Sequence, residues 1–248
     1  TPLALRLYHQ PGIASKLKDS PSLIIPISSD LELFRKHSID LSVINRSLQA
    51  DFIIIFVFPR GNQRNDWNRF SQGSGRYLQL AYDDLQASLS YLNEQQMGSA
   101  QKRTVWGIEE GAFSTAALVM QRPALAHKNI LQDGIFYLRN TEVNIHEKAF
   151  QWINPVDSLS ERLSIRYSPQ FYPIRSALYP NRLVQTSNQS IFADDLQSVK
   201  WIGKLLSLPG APPTWYYPQM VSPAWKASGS QEWEQMVWNY IQKEYVSR

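Results

Sequence analysis

The sequence predicts an α/β protein with a mostly parallel central sheet flanked by helices. Three observations predict this class. Short apolar runs alternate along the chain with segments of helical apolar periodicity. One run, FIIIFVF at 52–58, is too uniformly apolar for a sheet with one wet face, so we expect a central buried strand there. Finally, RTVWG at 103–107 leads within a few residues into the helical pattern GAFSTAALVMQR at 111–122.

The predicted strands are short segments rich in apolar, β-branched or aromatic residues, which favour the pleated conformation. In chain order they are 3–8, 22–27, 52–58, 103–107, a short strand within 127–138, 182–187 and 213–221.

The predicted helices have apolar residues at three- and four-residue spacing or follow a residue that can cap a helix. In chain order they are 28–37, 76–95, 111–122, 195–206 and 230–245. The first can begin at Ser28, Ser29 or Asp30, and the fourth at Asp194 or Asp195. Proline stops the third helix at position 123, and the sequence Leu-Pro-Gly at 208–210 ends the fourth.

A chain of 248 residues is long enough for one large α/β domain and short for two. We therefore expect a single domain over residues 1–248. The irregular, proline-bearing region 139–180 is expected to be an insertion or lid over the sheet edge.

Composition excludes several function classes. The net charge is only +4 and the basic residues are scattered, which argues against a nucleic-acid partner. The absence of cysteine excludes a thiol nucleophile, disulfides and cysteine-ligated metals. No histidine pair has metal-ligand spacing, so we expect no metal and no cofactor. No apolar run is long enough to span a membrane.

The chain begins at Thr1 rather than Met, so an N-terminal segment has been removed by processing or by cloning. A cleaved signal peptide is one explanation. On that basis a secreted or periplasmic location is favoured over a cytoplasmic one.

Residues 104–120, TVWGIEEGAFSTAALVM, contain two glycines four positions apart, Gly107 and Gly111, at a predicted strand-to-helix turn. In the nucleophile elbow, G-x-S-x-G, the middle position of such a turn carries the attacking serine. Here the middle position is Glu109, and Glu110 follows it.

With this turn the chain resembles the α/β-hydrolase fold, and more narrowly the catalytic domain of prolyl-oligopeptidase-like serine peptidases and esterases. The resemblance covers roughly residues 20 to 245 and is strongest over 52–138. The matching residues are Arg60-Gly61, Asp83-Asp84, Leu89 with Tyr91-Leu92, VWGIEEG at 105–111 and YSP at 167–169. The resemblance implies a serine nucleophile at position 109, then an acid after the strand at 182–187, and a histidine near the C-terminus.

All three implied catalytic positions depart from that pattern. Glu109 cannot form the ester intermediate that an activated serine forms. The residues after the strand at 182–187 are Asn188, Gln189 and Ser190, none of which is an acid. None of the four histidines lies beyond position 146; they are His9, His37, His127 and His146.

Glu109 has two interpretations. A carboxylate at the elbow can act as a nucleophile or as a base for water, but the second step then needs another base, and no histidine follows. We favour the non-catalytic interpretation. In it, Arg60, Arg64 or Arg69 balances the charge of Glu109, or the dipole of the helix that begins there does.

Neighbouring polar residues are interpreted structurally. We predict that the Ser114 hydroxyl bonds a backbone carbonyl and that Glu110 is a polar residue of the first helical turn. Asp83 and Asp84 are predicted to cap the helix or to pair with an arginine of the preceding loop and so anchor that loop.

The candidate ligand-binding residues are Arg60, Arg64, Trp215, Tyr216 and Trp225. Segment 215–225 runs through the loop where the histidine of the resembled family would lie, and aromatic side chains at a cleft suit recognition of a ligand. Core packing is the alternative for each of them.

These observations favour a non-catalytic domain that binds a small molecule, a peptide or a protein through the former active-site cleft. The alternatives are an active hydrolase of ester or peptide bonds that uses Glu109, and a structural role in which the cleft is filled. The sequence specifies neither the ligand nor the oligomeric state.

Overall fold

The apolar runs of the sequence form the strands of one sheet. The computed structural model describes residues 4–27, 41–61, 71–73, 77–134, 136, 162, 165–172, 179–187, 195–207, 211–219 and 231–243. Within these residues the strands are β1 (Ala4–Tyr8), β2 (Ser22–Pro26), β3 (Ile53–Phe58), β4 (Arg103–Ile108), β5 (Lys128–Gln132), β6 (Asn181–Ser187) and β7 (Thr214–Gln219).

The strand order across the sheet is β1-β3-β2-β4-β5-β6-β7. β1 pairs with β3 in antiparallel orientation, and the other neighbouring pairs are parallel. The predicted, mostly parallel sheet is therefore confirmed. Its parallel strands all present their carboxyl ends at one edge, which we call the carboxyl edge, and their amino ends at the opposite, amino edge.

Helices cover both faces of the sheet. They are α1 (Leu41–Gln49), α2 (Leu78–Glu94), α3 (Glu110–Gln121), α4 (Asp195–Leu206) and α5 (Gln231–Gln242). α1 and α5 pack on one face, and α2, α3 and α4 on the other. The predicted helix at 28–37 lies outside the described residues, and α1 was not predicted.

Alternation along β3 explains its continuous apolar run. Ile54 packs with residues of α1 and α5, whereas Ile55 packs with Leu85 and Leu89 of α2. Both isoleucines are fully buried. Successive side chains of a strand point to opposite faces, so both faces of β3 meet the apolar residues of a helix layer and the strand is apolar throughout.

Two buried cations at the amino edge contact the ends of helices. The Lys128 ammonium donates to the carbonyls of Tyr240 and Ile241 in the last turn of α5, at 3.0 and 3.1 Å. Arg103 donates to the Asn93 side chain near the end of α2, at 2.8 Å. Because helix carboxyl termini carry partial negative charge, these contacts stabilise the packing of helices on the sheet.

Most of the predicted lid, residues 139–180, lies outside the described residues. Residues 162, 165–172, 179 and 180 of this region are described. Segment 165–172 is held by buried tyrosines: the hydroxyls of Tyr82 and Tyr172 both donate to the Tyr167 carbonyl, at 3.4 and 3.1 Å. Within this segment, Pro169–Phe171 pack against α3 and α4. The single-domain assignment stays a prediction. In the part of the chain that the structure describes, no helix combines the length and the apolarity needed to cross a bilayer.

Candidate functional site at the carboxyl edge

Polar side chains gather where β4, β5 and β6 end. Glu109 follows β4, Gln132 ends β5 and Asp133 follows it, and Gln185 lies near the end of β6. In open α/β sheets ligands bind outside the carboxyl ends of the strands. The carboxyl edge is therefore the place where this fold positions a functional site.

Glu109 forms the turn between β4 and α3 in a strained conformation. Its backbone has φ 52° and ψ −116°, outside the helical region, and it is the N-cap of α3. Its N–H donates to the Gln132 carbonyl at 2.7 Å, and its carbonyl accepts from the Ala112 N–H at 3.0 Å. A residue with a side chain at such a positive φ costs about 1–3 kcal/mol and persists only where its surroundings hold it. The turn has the strained strand-to-helix geometry of a nucleophile elbow.

Because Gly107 has no side chain, the backbone of the first turn of α3 can lie against β4. A Cβ at this position would lie 2.3 Å from the Gly111 carbonyl oxygen and 2.5 Å from the Ala112 Cα. These are backbone atoms of the helix, which cannot move aside as a flexible side chain can. The glycine at 107 is thus a requirement of the strand–helix contact, as the elbow pattern predicts.

The strain at Glu109 predicts a gain in stability on removing its Cβ. We expect Glu109→Gly to have a free energy of unfolding about 1 kcal/mol higher than Glu109→Ala, because both lack the carboxylate and only alanine keeps the Cβ at positive φ. Urea denaturation of the two variants measures this difference. Equal stabilities would show that the turn is not strained.

The residues after the elbow have structural partners. Glu110 lies in the first turn of α3, is 7% exposed, and its carbonyl accepts a hydrogen bond of 3.4 Å from the Ser114 hydroxyl. The prediction that Ser114 bonds a backbone carbonyl is confirmed. A carboxylate at the start of a helix is favoured by the helix dipole.

Arg60 is bound by Asp84 of α2. The Asp84 carboxylate accepts from the Arg60 N–H at 2.8 Å, from Nε at 2.8 Å and from Nη2 at 2.6 Å. This hydrogen-bonded carboxylate raises the pKa of the Arg60 guanidinium above its ordinary value. The predicted pairing of the Asp83-Asp84 sequence with a loop arginine is confirmed for Asp84. Asp83 accepts from Gln79 at 2.9 Å on the exposed side of the helix.

The Nε and Nη2 groups of Arg60 are therefore both engaged in a two-pronged contact with the Asp84 carboxylate. A ligand-binding role for Arg60 stays a prediction. Arg64 and Arg69, the other candidate partners of Glu109, lie outside the described residues.

The two described histidines lie at the amino edge, away from Glu109. His127 immediately precedes β5, whereas the Gln132 carbonyl that contacts Glu109 is at the end of that strand, about 16 Å away at 3.3 Å per residue. His9 follows Tyr8, which pairs with Ile54 near the start of β3. Neither imidazole is at the carboxyl edge. His37 and His146 lie outside the described residues.

Two of the aromatic candidates lie in β7 and do not adjoin the elbow. Trp215 is part of the strand rather than of the loop after it, and its ring lies on Tyr240 and near the Lys243 ammonium. Tyr216 points to the other face, where its hydroxyl and that of Thr186 are 3.0 Å apart. β7 is three strand spacings from β4, about 14 Å. Trp225 lies outside the described residues.

Asp133 and Gln132 were missed by the sequence interpretation. Asp133 has φ 50°, is 1% exposed, and its N–H donates to the Gln185 carbonyl at 2.9 Å. Gln132 accepts from the Trp106 indole N–H at 3.2 Å. The available signal was the pair Asp133-Gly134 directly after a strand, which is a turn-forming sequence. A Cβ at Gly134 would lie 2.8 Å from that of Ala112, so the start of α3 also packs on this turn.

Across the described stretches of the chain, no three His, Cys, Asp or Glu side chains form a group that could hold a metal ion.

Comparison with known proteins agrees with this geometry. The sequence model of the prolyl oligopeptidase family matches residues 39–204. No curated protein sequence gives a significant match.

The chain is also similar to solved structures. It superposes on a prolyl endopeptidase with a TM-score of 0.83 at 16% identity, covering 98% of this chain and 36% of that one. For oligopeptidase B from Leishmania major the TM-score is 0.79 at 16% identity, and the match covers 98% of this chain and 34% of that one. For prolyl oligopeptidase B from Galerina marginata the TM-score is 0.80 at 14% identity, and the match covers 98% of this chain and 34% of that one. The fold is the α/β-hydrolase fold, and the chain spans about a third of the length of these proteins.

Proposed function

The chain belongs to the prolyl oligopeptidase family, and on this premise we propose that it is a non-catalytic member. In this proposal the chain binds a small molecule, a peptide or a protein partner through the cleft that is the active site in catalytic relatives. The observation that carries the proposal is a glutamate at the centre of an elbow whose backbone geometry is retained.

Acyl transfer at an elbow needs a nucleophile and a base within hydrogen-bond reach of it. The carboxylate of Glu109 would form an anhydride on attacking an ester or amide, and water must then be activated to hydrolyse it. The histidines at positions 9 and 127 are on the far edge of the sheet, and neither can reach that water. This placement supports the loss of catalysis.

The experiment is a hydrolysis screen with aryl esters and short peptide substrates on wild type, Glu109→Gln and a charge control, Glu94→Gln. Glu94 ends α2 and is exposed, so its substitution removes a carboxylate without touching the elbow. We expect equal, background turnover in all three proteins. Wild-type turnover that falls about 100-fold or more in Glu109→Gln alone would contradict the proposal.

The alternative function is an active hydrolase in which Glu109 is the nucleophile or the base for a water. It requires the opposite result, namely wild-type turnover that is lost in Glu109→Gln. The feature that favours the alternative is the half-buried Glu109 side chain at a strained turn, the position of the attacking group in this fold. Mass spectrometry of a substrate-trapped adduct distinguishes the two chemical roles: a nucleophile acquires the acyl mass, whereas a base does not.

Binding through the cleft is measured separately with a pool of random octapeptides on immobilised protein. We expect sequences enriched on wild type to be lost on Glu109→Arg, which reverses the charge at the centre of the carboxyl edge, and kept on Glu94→Arg. Equal enrichment on both variants would place binding elsewhere on the protein.

A further inference from the structure

Arg182 is a fully buried cation without a hydrogen-bond partner among the described residues. It is the second residue of β6, at the amino edge, and its exposure is 0%. Nε, Nη1 and Nη2 all lack a partner in this part of the chain. Arg103, equally buried on the same face of the sheet, differs because it donates to the Leu125 carbonyl at 3.1 Å and to Asn93 at 2.8 Å.

Aromatic rings surround the Arg182 guanidinium. Its Cζ is 5.4 Å from the centre of the Tyr179 ring and 5.8 Å from that of Trp201. Such contacts offset part of the cost of removing a cation from water. Burial nevertheless lowers the pKa of Arg182 to about 10, and the titratable groups beside it among the described residues are the phenols of Tyr240 and Tyr179. A protonated phenol carries no charge, so neither ring supplies a counter-charge near neutral pH.

Two further polar groups beside Arg182 also lack partners among the described residues. Asn129 is the register partner of Arg182 on β5, so the two side chains point to the same face from strands about 4.8 Å apart. Both amide atoms of Asn129 are buried and unbonded within the described chain, as is the indole N–H of Trp201. No hydrogen bond joins Asn129 to Arg182, although they are neighbours.

These groups share an excess of donors. The guanidinium and the indole only donate hydrogen bonds, and the amide is the one group that also accepts. A buried charge without a counter-charge is strongly unfavourable. A bound water or ion is one explanation of a buried polar group that has no partner in the protein. A water would accept hydrogen bonds from these donors but would leave the guanidinium charge unbalanced. An anion would accept the hydrogen bonds and also balance the charge.

We propose that Arg182, Asn129 and Trp201 bind a small inorganic anion of the size of chloride at the amino edge of the sheet. The anion completes the contact between β5, β6 and α4. The site lies at the opposite edge from the elbow, so it is independent of the function proposed for the carboxyl edge.

The test is the thermal unfolding of wild type as sodium gluconate is replaced by sodium chloride at constant ionic strength. Constant ionic strength keeps general charge screening the same throughout the series. Gluconate is too large to enter a site between packed side chains, so only chloride can occupy it. We expect the midpoint to rise by about 4 °C for each tenfold increase in chloride above the Kd, because an ion that binds only the folded state stabilises it. In Arg182→Met the rise should vanish.

Arg103→Met is the matched control, since it also removes a buried arginine but one with its own partners. It should unfold at lower temperature and keep the full chloride dependence. A chloride dependence that is absent in wild type, or unchanged in Arg182→Met, would overturn the proposal.

Should Arg182→Met not fold, the wild-type protein decides the question. Crystals grown in bromide are expected to show an anomalous peak beside the Arg182 guanidinium. The absence of that peak in a well-ordered crystal would equally overturn the site.

Discussion

Gly107→Ala is expected to lower the free energy of unfolding by about 3 kcal/mol or more, at the upper end of the cost of overpacking, and so to reduce the yield of folded protein. The added methyl would lie 2.3 Å from the Gly111 carbonyl oxygen and 2.5 Å from both the Ala112 Cα and the Thr115 hydroxyl. To relieve these overlaps α3 must move away from β4, which separates buried surfaces on that face of the sheet. Yield of soluble protein and urea denaturation measure the effect.

Gly203→Ala is the matched control for this substitution. Gly203 lies within α4, and apart from its chain neighbours and its own helix backbone no heavy atom of the described residues would lie within 4 Å of a Cβ there. Alanine is the better helix former, so this variant should be about 0.5–1 kcal/mol more stable than wild type. If Gly107→Ala were as stable as Gly203→Ala, the close contact between β4 and α3 would be wrong.

Asp84→Ala is expected to lower the free energy of unfolding by about 3 kcal/mol. Removing one partner of a buried ion pair usually costs about 3–5 kcal/mol, and a value at the low end follows because the Arg60 side chain is 24% exposed. The variant leaves the Arg60 backbone N–H and guanidinium without their acceptor. Urea denaturation at neutral pH measures the loss.

The neighbouring carboxylate provides the control, because Asp83→Ala removes the same group from the exposed side of the same helix. Its hydrogen bond with Gln79 is a surface contact, so we expect a change of less than about 0.5 kcal/mol. The coupling between Arg60 and Asp84 follows from a double-mutant cycle with Arg60→Met. Losses of equal size in the two aspartate variants would show that Arg60 and Asp84 do not act as a pair.

The strands were predictable because each is a short local pattern. β2 and β3 coincide closely with the apolar runs, since both of their faces are covered by helices. β4 and β6 also lie where strands were predicted, although both bury polar residues such as Arg103 and Arg182. The antiparallel direction of β1 was not predicted, because that direction is set by its pairing with β3, more than forty residues later in the chain. α1 was missed because it follows a segment whose own capping residues and apolar spacing suggested an earlier helix.

The candidate site was predictable to the extent that its residues are neighbours in sequence. Glu109, its two flanking glycines and Ser114 lie within a few positions of one another, and their geometry agrees with the pattern. Asp133 could not be placed at the same edge from sequence, since nothing local relates the end of β5 to the end of β4. Trp215 was a binding candidate because segment 215–225 leads into the loop where the histidine of the family is expected, with core packing as the alternative; in the structure its ring contacts Tyr240 of α5.

The amino-acid sequence by itself determined the class of fold, the turn at Gly107 and the glutamate where a nucleophile is expected. These properties depend on residues a few positions apart, whose sterics and periodicity are local. Only the tertiary structure decided that His9 and His127 lie across the sheet from Glu109, that Arg60 is bound by Asp84, and that Arg182 is buried beside Asn129. Those relations depend on strand order and on the direction of each strand, which bring together residues that no short-range pattern connects.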